Sequence, residues 1–88
     1  MNEYFIRNPE VLESKIGVEV VMLDVESGFY FGLNEVGSDI WNFLEQKKAF
    51  NELIEMLMSK YEVDRELCEK ETRNLLQQLI EKKLIHRI

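Results

Sequence analysis

The stretch SGFYFGLNEVGSDIW, Ser27 to Trp41, changes its periodicity in the middle. Phe29, Tyr30, Phe31 and Leu33 are strand formers or apolar residues with no charge or proline among them, and Gly28 ahead of them is free to take positive φ in a turn. From Asn34 the pattern becomes helical. Asn34 is a good N-cap, Glu35 suits the positive end of a helix dipole, and Val36, Ile40, Trp41 and Leu44 fall on one face. A strand that runs directly into a capped helix marks the border between a β-rich first third and an α-rich remainder.

Upstream, GVEVVMLDV carries Val18, Val20, Val21 and Val25, and Glu26-Ser27-Gly28 joins it to FYFGL as a hairpin. YFIRNPEVLESK has strand formers at Tyr4 to Ile6 and at Val11 to Leu12, interrupted by Pro9. Taken as the first strand, it completes a three-stranded antiparallel meander. Downstream, Phe50, Leu53, Ile54, Leu57, Met58 and Tyr61 trace an amphipathic helix whose start is weakly marked, because Ala49 offers no side-chain cap. A third helix begins after Asp64, a good N-cap, and carries Cys68, Thr72, Leu75, Leu76, Leu79 and Ile80. LIHRI closes the chain as a short strand or an extended tail. Strands followed by helices predict an α+β fold, the N-terminal meander packed on three helices.

Size and charge narrow the function. Eighty-eight residues make one domain, 1–88, and a composition 45% hydrophobic and 32% charged is that of a folded chain. A single cysteine excludes an internal disulfide, and MNEYFIRNPE has neither the basic start nor the apolar run of a signal peptide. The longest unbroken apolar run, Val20 to Leu23, cannot span a bilayer, so no membrane role and a cytoplasmic location are expected. The formal charge of −6 repels a phosphate backbone, which argues against nucleic acid.

The inventory for catalysis is thin. His86, the one histidine, lies two residues from the C-terminus, and Cys68 falls on the apolar face of the third helix. The glycines match no phosphate loop or dinucleotide fingerprint, no serine has a nucleophile elbow, and no cluster has metal-ligand spacing. Neither enzymatic activity nor a cofactor is expected.

Binding through a sheet edge is the alternative. In the expected meander the first strand is blunted by Pro9 and Arg7, whereas Phe29, Tyr30, Phe31, Gly32 and Leu33 carry no such protection. Phe31 and Leu33 then face the core, Tyr30 and Gly32 the other side. On the third helix, placing Cys68, Thr72, Leu75 and Leu79 inward leaves Leu76 and Ile80 on one flank, continued by Arg73 and Glu69, with Lys70 and Gln77 farther round. That flank beside the open strand would make a groove for an extended peptide. The alternative for the charges is ordinary i, i+4 pairing, Glu66 with Lys70 and Glu69 with Arg73.

LDVESGFYFGLNEVGSDIWNFL also resembles the PqqD-like family, the peptide chaperones known as RiPP recognition elements. The resemblance rests on Gly28, Tyr30, Leu33, Asn34, Gly37, Ile40 and Trp41, then on Leu53, Ile54, Leu57 and Tyr61, and on Leu75, Leu76, Leu79 and Leu84-Ile85. Ala49 departs from it where a threonine-like cap is usual, and Lys83 where a glycine often precedes the last apolar pair. The resemblance implies a winged-helix-like domain that binds the leader segment of a ribosomally made precursor peptide as an added strand, between the third strand and the third helix. It also implies separate modifying enzymes as partners: a leader peptidase and a cyclase in lasso-peptide pathways, which this length fits best, or a radical-SAM protein, as in pyrroloquinoline quinone synthesis.

Two other readings share the elements. A winged-helix DNA-binding regulator needs a basic recognition helix, but Asp64 to Lys83 balances five acidic residues against five basic ones. A structural subunit could pair with itself through the third strand, giving a monomer or weak homodimer.

Overall fold

Nine elements follow one another along residues 3–88, the part of the chain that the computed structural model describes. They are β1 (Tyr4–Arg7), β2 (Leu12–Ile16), β3 (Glu19–Asp24), β4 (Phe29–Leu33), α1 (Glu35–Phe43), β5 (Lys48–Ala49), α2 (Phe50–Lys60), α3 (Arg65–Glu81) and β6 (Ile85–Arg87). The strands form two antiparallel three-stranded sheets, ordered β2-β3-β4 and β5-β1-β6. With three helices packed against them, this is the α+β, winged-helix-like arrangement expected from the sequence.

The expected first strand is two strands in different sheets. Asn8 and Pro9 separate them: the Asn8 carbonyl accepts from Val11 N at 3.2 Å and its side chain from Glu10 N at 3.0 Å, a turn with proline at its second position. Before the turn, β1 pairs with the closing strand β6, Ile6 opposite His86, and with the two-residue β5 before α2, which the sequence did not announce. After it, β2 pairs with β3, Ser14 opposite Val21. Pro9 and Arg7 therefore lie outside the meander, although the Arg7 side chain pairs with Glu13 of β2 at 3.2 Å.

Each connection has a local cause. Gly17, at φ 64°, is the first residue of the two-residue β2–β3 loop, where glycine suits a tight hairpin. Gly28, at φ 71°, ends the β3–β4 loop and donates to the Asp24 carbonyl at 2.8 Å. Asn34 caps α1 by accepting from Gly37 N at 2.9 Å, and Asp64 caps α3 by accepting from Leu67 N at 3.1 Å. Ala49 gives α2 no side-chain acceptor, but Glu52 reaches back to Ala49 N at 2.8 Å and supplies half of a capping box. At the end of α3, Leu84 N reaches the Leu79 carbonyl at 2.9 Å while Lys83 sits at φ 59°, a Schellman-type stop with lysine in the left-handed position.

One core joins both sheets to the helices. Val20, Met22 and Leu33 from the meander meet Ile40, Trp41 and Leu44 of the first helical segment, Leu53, Ile54 and Leu57 of α2, and Leu76 and Leu79 of α3. Phe5, Leu84 and Ile85 seal the other end. Val36, expected on the buried face of α1, is the exception and remains exposed.

Candidate functional site

Among the described residues, β4 pairs with β3 on one side only. Which of its main-chain groups face the free side follows from the register. A two-residue loop makes Ile16 and Glu19 a hydrogen-bonded pair, and alternation then assigns Val21 and Leu23 of β3 to β2, and Val20, Met22 and Asp24 to β4. Their partners Leu33, Phe31 and Phe29 are turned toward β3. Tyr30 and Gly32 are left with N–H and C=O groups directed at the open edge.

The end of this ladder is closed by a side chain. Ser38 of α1 is fully buried, and its Oγ accepts from Val20 N at 2.8 Å while donating to the Leu33 carbonyl at 3.2 Å. The hydroxyl thus stands between the last paired residues of β3 and β4 and ties both to α1.

Side chains alternate about β4 as expected. Leu33 is buried, Phe31 is half-buried against the core, and Tyr30 and Gly32 lie on the exposed outer face. Between β4 and α3 runs a cleft of about 440 Å³, with Phe31, Gly32 and Leu33 on one wall and Glu71, Leu75 and Gln78 on the other. Val36 closes one end. At the opposite end the Lys82 Nζ stands 4.5 Å from the Phe29 ring centre and 5.8 Å from that of Phe31. Beside the apolar Leu33 and Ile40 the lining includes the polar Asn34 and Thr72, and the two charged groups, Glu71 and Lys82, lie about three turns apart along the helix.

The helix wall differs from the expected one by a rotation of α3. Leu76 is only 2% exposed and belongs to the core, whereas Leu75, expected inward, is half-buried and lines the cleft. Arg73 lies on the far flank: its guanidinium stacks 4.1 Å from the Phe50 ring centre and pairs with Glu3 at 3.0 Å. Ile80 packs against the core without lining the cleft, and Lys70 and Gln77 point to solvent, Gln77 bonded to Glu81 at 3.2 Å. Neither Glu66–Lys70 nor Glu69–Arg73 is among the ion pairs of the described residues. Glu69 pairs with Arg65 instead, at 3.2 Å.

Phe31, Gly32 and Leu33 thus line the cleft's β side, with Phe29 beside Lys82 at its end and Tyr30 on the outer face, while Lys70, Arg73, Leu76, Gln77 and Ile80 do not form its helical side. Glu71, Leu75, Gln78 and Lys82 do, at a spacing of i, i+4, i+7 and i+11, a stripe readable once the burial of Leu76 fixes the helix phase. His86 sits exposed on β6, and Cys68 is buried. No helix of the described residues is long and apolar enough to cross a membrane.

The chain is similar to known proteins over most of its length. Residues 19–85 match the family model described as coenzyme PQQ synthesis protein D (PqqD). No curated protein matches the chain significantly. Among solved structures, TbiB1 in complex with the TbiA(beta) leader peptide is 37% identical, with a TM-score of 0.84 over 92% of this chain and 94% of that one. A lasso peptide synthetase B1 complexed with the leader peptide is 28% identical, with a TM-score of 0.81 over 93% of this chain and 96% of that one.

Proposed function

The chain belongs to the PqqD family, and from that premise we propose that it binds the leader segment of a ribosomally synthesised precursor peptide by strand addition to β4. The observation that carries this reading is the outward-facing main chain of Tyr30 and Gly32 beside the cleft under α3. A peptide laid along that edge exchanges main-chain hydrogen bonds with β4 and turns alternate side chains into the cleft. Phe29, Phe31, Leu33, Leu75 and Gln78 then contact those side chains, and Lys82 and Glu71 fix their charge preference. The solved neighbours, both described as leader-peptide complexes, support the reading.

Binding of this kind involves no bond breaking in the chain itself. Its effect is to hold a precursor near separate modifying enzymes and raise the local concentration of the segment to be modified. The lasso-peptide context of the second neighbour favours a leader peptidase and a cyclase as those enzymes. Precursors of ribosomal origin would be met in the cytoplasm. A DNA-binding role gains nothing from the fold, because the exposed face of α3 alternates acidic and basic residues.

The test is a titration of isotope-labelled protein with synthetic peptides covering the leaders of precursors encoded beside its gene, followed by backbone amide shifts. The expected shifts centre on Tyr30 and Gly32, with side-chain changes at Leu75. Saturable binding that leaves residues 29–33 unmoved would overturn strand addition.

A further inference from the structure

The meander has a second open edge, and we propose that a second copy of this chain pairs with it. All five residues of β2 are exposed, and among the described residues β2 meets no strand but β3. With the register above, Leu12, Ser14 and Ile16 spend their main-chain groups on β3, so Glu13 and Lys15 direct theirs outward. Glu13 and Lys15 lie opposite the buried Met22 and Val20 and so share the helix-facing side, whereas Leu12 and Ile16, 57% and 68% exposed, stand on the outer side.

A two-fold axis normal to the sheet keeps each side chain on its own face, so it must pass through one residue of β2. An axis through Glu13 sets two glutamates opposite each other, and one through Lys15 sets two lysines. An axis through Ser14 pairs Glu13 with the partner's Lys15, and Leu12 with the partner's Ile16. Opposite charges then face each other on one side and apolar groups on the other, while the outward main-chain groups of Glu13 and Lys15 bond across the axis.

The surrounding charges favour the same arrangement. Glu13 is tied to Arg7 at 3.2 Å and accepts from Trp41 Nε1 at 2.8 Å, and Arg7 lies 3.7 Å from the exposed Glu45, so this cluster carries one negative charge in excess, its open share on Glu45. Lys15 makes no ion pair among the described residues. Each copy therefore offers an unpaired cation to the other's anionic cluster. The product is a six-stranded sheet with a β4 edge at each end, leaving both clefts open. Five residues per strand make a small interface, so the dimer forms and dissociates with concentration.

Sedimentation of the chain alone, from about 10 μM to about 1 mM, tests this. The expected result is a monomer–dimer equilibrium whose Kd rises about tenfold or more in Lys15→Glu, which sets acidic residues against each other in both pairs. In the unaltered chain, the Glu13 and Lys15 amides gain exchange protection as concentration rises, a readout independent of how the variant folds. A monomer throughout the range would overturn the proposal. So would a dimer unchanged by Lys15→Glu, or one that protects the Tyr30 and Gly32 amides instead. Leader titration reads the opposite edge, so failure of either reading leaves the other standing.

Discussion

The Ser38 hydroxyl accepts the Val20 amide proton at 2.8 Å in a position with no solvent exposure. Because the same oxygen donates to Leu33, one side chain satisfies a donor and an acceptor that the sheet leaves unpaired. Ser38→Ala strands both, and an unsatisfied buried donor or acceptor costs about 1–3 kcal/mol. Chemical denaturation of the variant should show a loss in that range. A loss under about 0.5 kcal/mol would mean that β3 and β4 close without the hydroxyl.

The edge prediction turns on which amides face outward. Gly32→Pro removes a donor directed at the free side of β4 and places a ring there. It should keep the far-ultraviolet circular dichroism of the parent while weakening leader affinity about tenfold or more, the equivalent of one hydrogen bond plus a clash. Phe31→Pro removes a donor turned toward Met22 and should instead unfold the meander. Equal stability of the two variants would show that the alternation is wrong.

The flanks of α3 separate as sharply. Leu75→Ala truncates a half-buried side chain of the cleft and should reduce leader affinity with only a modest fall in stability. Arg73→Glu removes the stack on Phe50 and sets like charges near Glu3. It should cost about 0.5–1.5 kcal/mol of stability and leave leader affinity unchanged. Isothermal titration of both variants with the same leader peptide decides which flank faces the ligand.

These contrasts show how far the sequence could be read. Alternation and turn residues identified β3, β4 and the hairpin between them, because side-chain period and glycine placement are local properties. Caps at Asn34 and Asp64 were equally local. The separation of β1 from β2 was not, since Tyr4 to Ile6 can pair with β6 only after the chain has closed over 80 residues later. Cys68, Thr72 and Leu79 of α3 are buried as expected, but Leu76 replaces Leu75 among them, for a related reason. Leu75 and Leu76 are adjacent and equally apolar, and only contacts with α2 and the sheets decide which is buried. An error of one position moved the expected wall from one flank to the other.

Lys83 carries a cost that a single change should relieve. At φ 59° it occupies a left-handed position, costing an L-residue about 1–2 kcal/mol, where the resembled family often has glycine. Lys83→Gly removes that strain but adds unfolded-chain entropy of about 0.4–1 kcal/mol. The net expectation is a gain of up to about 1.6 kcal/mol, seen as a higher thermal midpoint with leader binding intact. A lower midpoint would mean that the Lys83 side chain contributes more than its backbone costs.

Tyr61 contributes to the alkaline fall in stability. Its hydroxyl donates to Asp39, which also pairs with Lys60 at 3.0 Å, and Glu35 lies 3.1 Å away. The hydrogen bond to Asp39 acts first, followed by desolvation and the second carboxylate, and together they push the phenol well above its ordinary value of 10.0. The folded state therefore holds the proton more tightly than the unfolded chain does. The bond's contribution is complete below about pH 10 and is lost as pH rises from there toward the higher folded value. Denaturant midpoints should fall across that window in the parent, and the part of the fall due to this phenol should be missing in Tyr61→Phe. Parallel curves for the two proteins would show that the Tyr61 proton is not linked to folding.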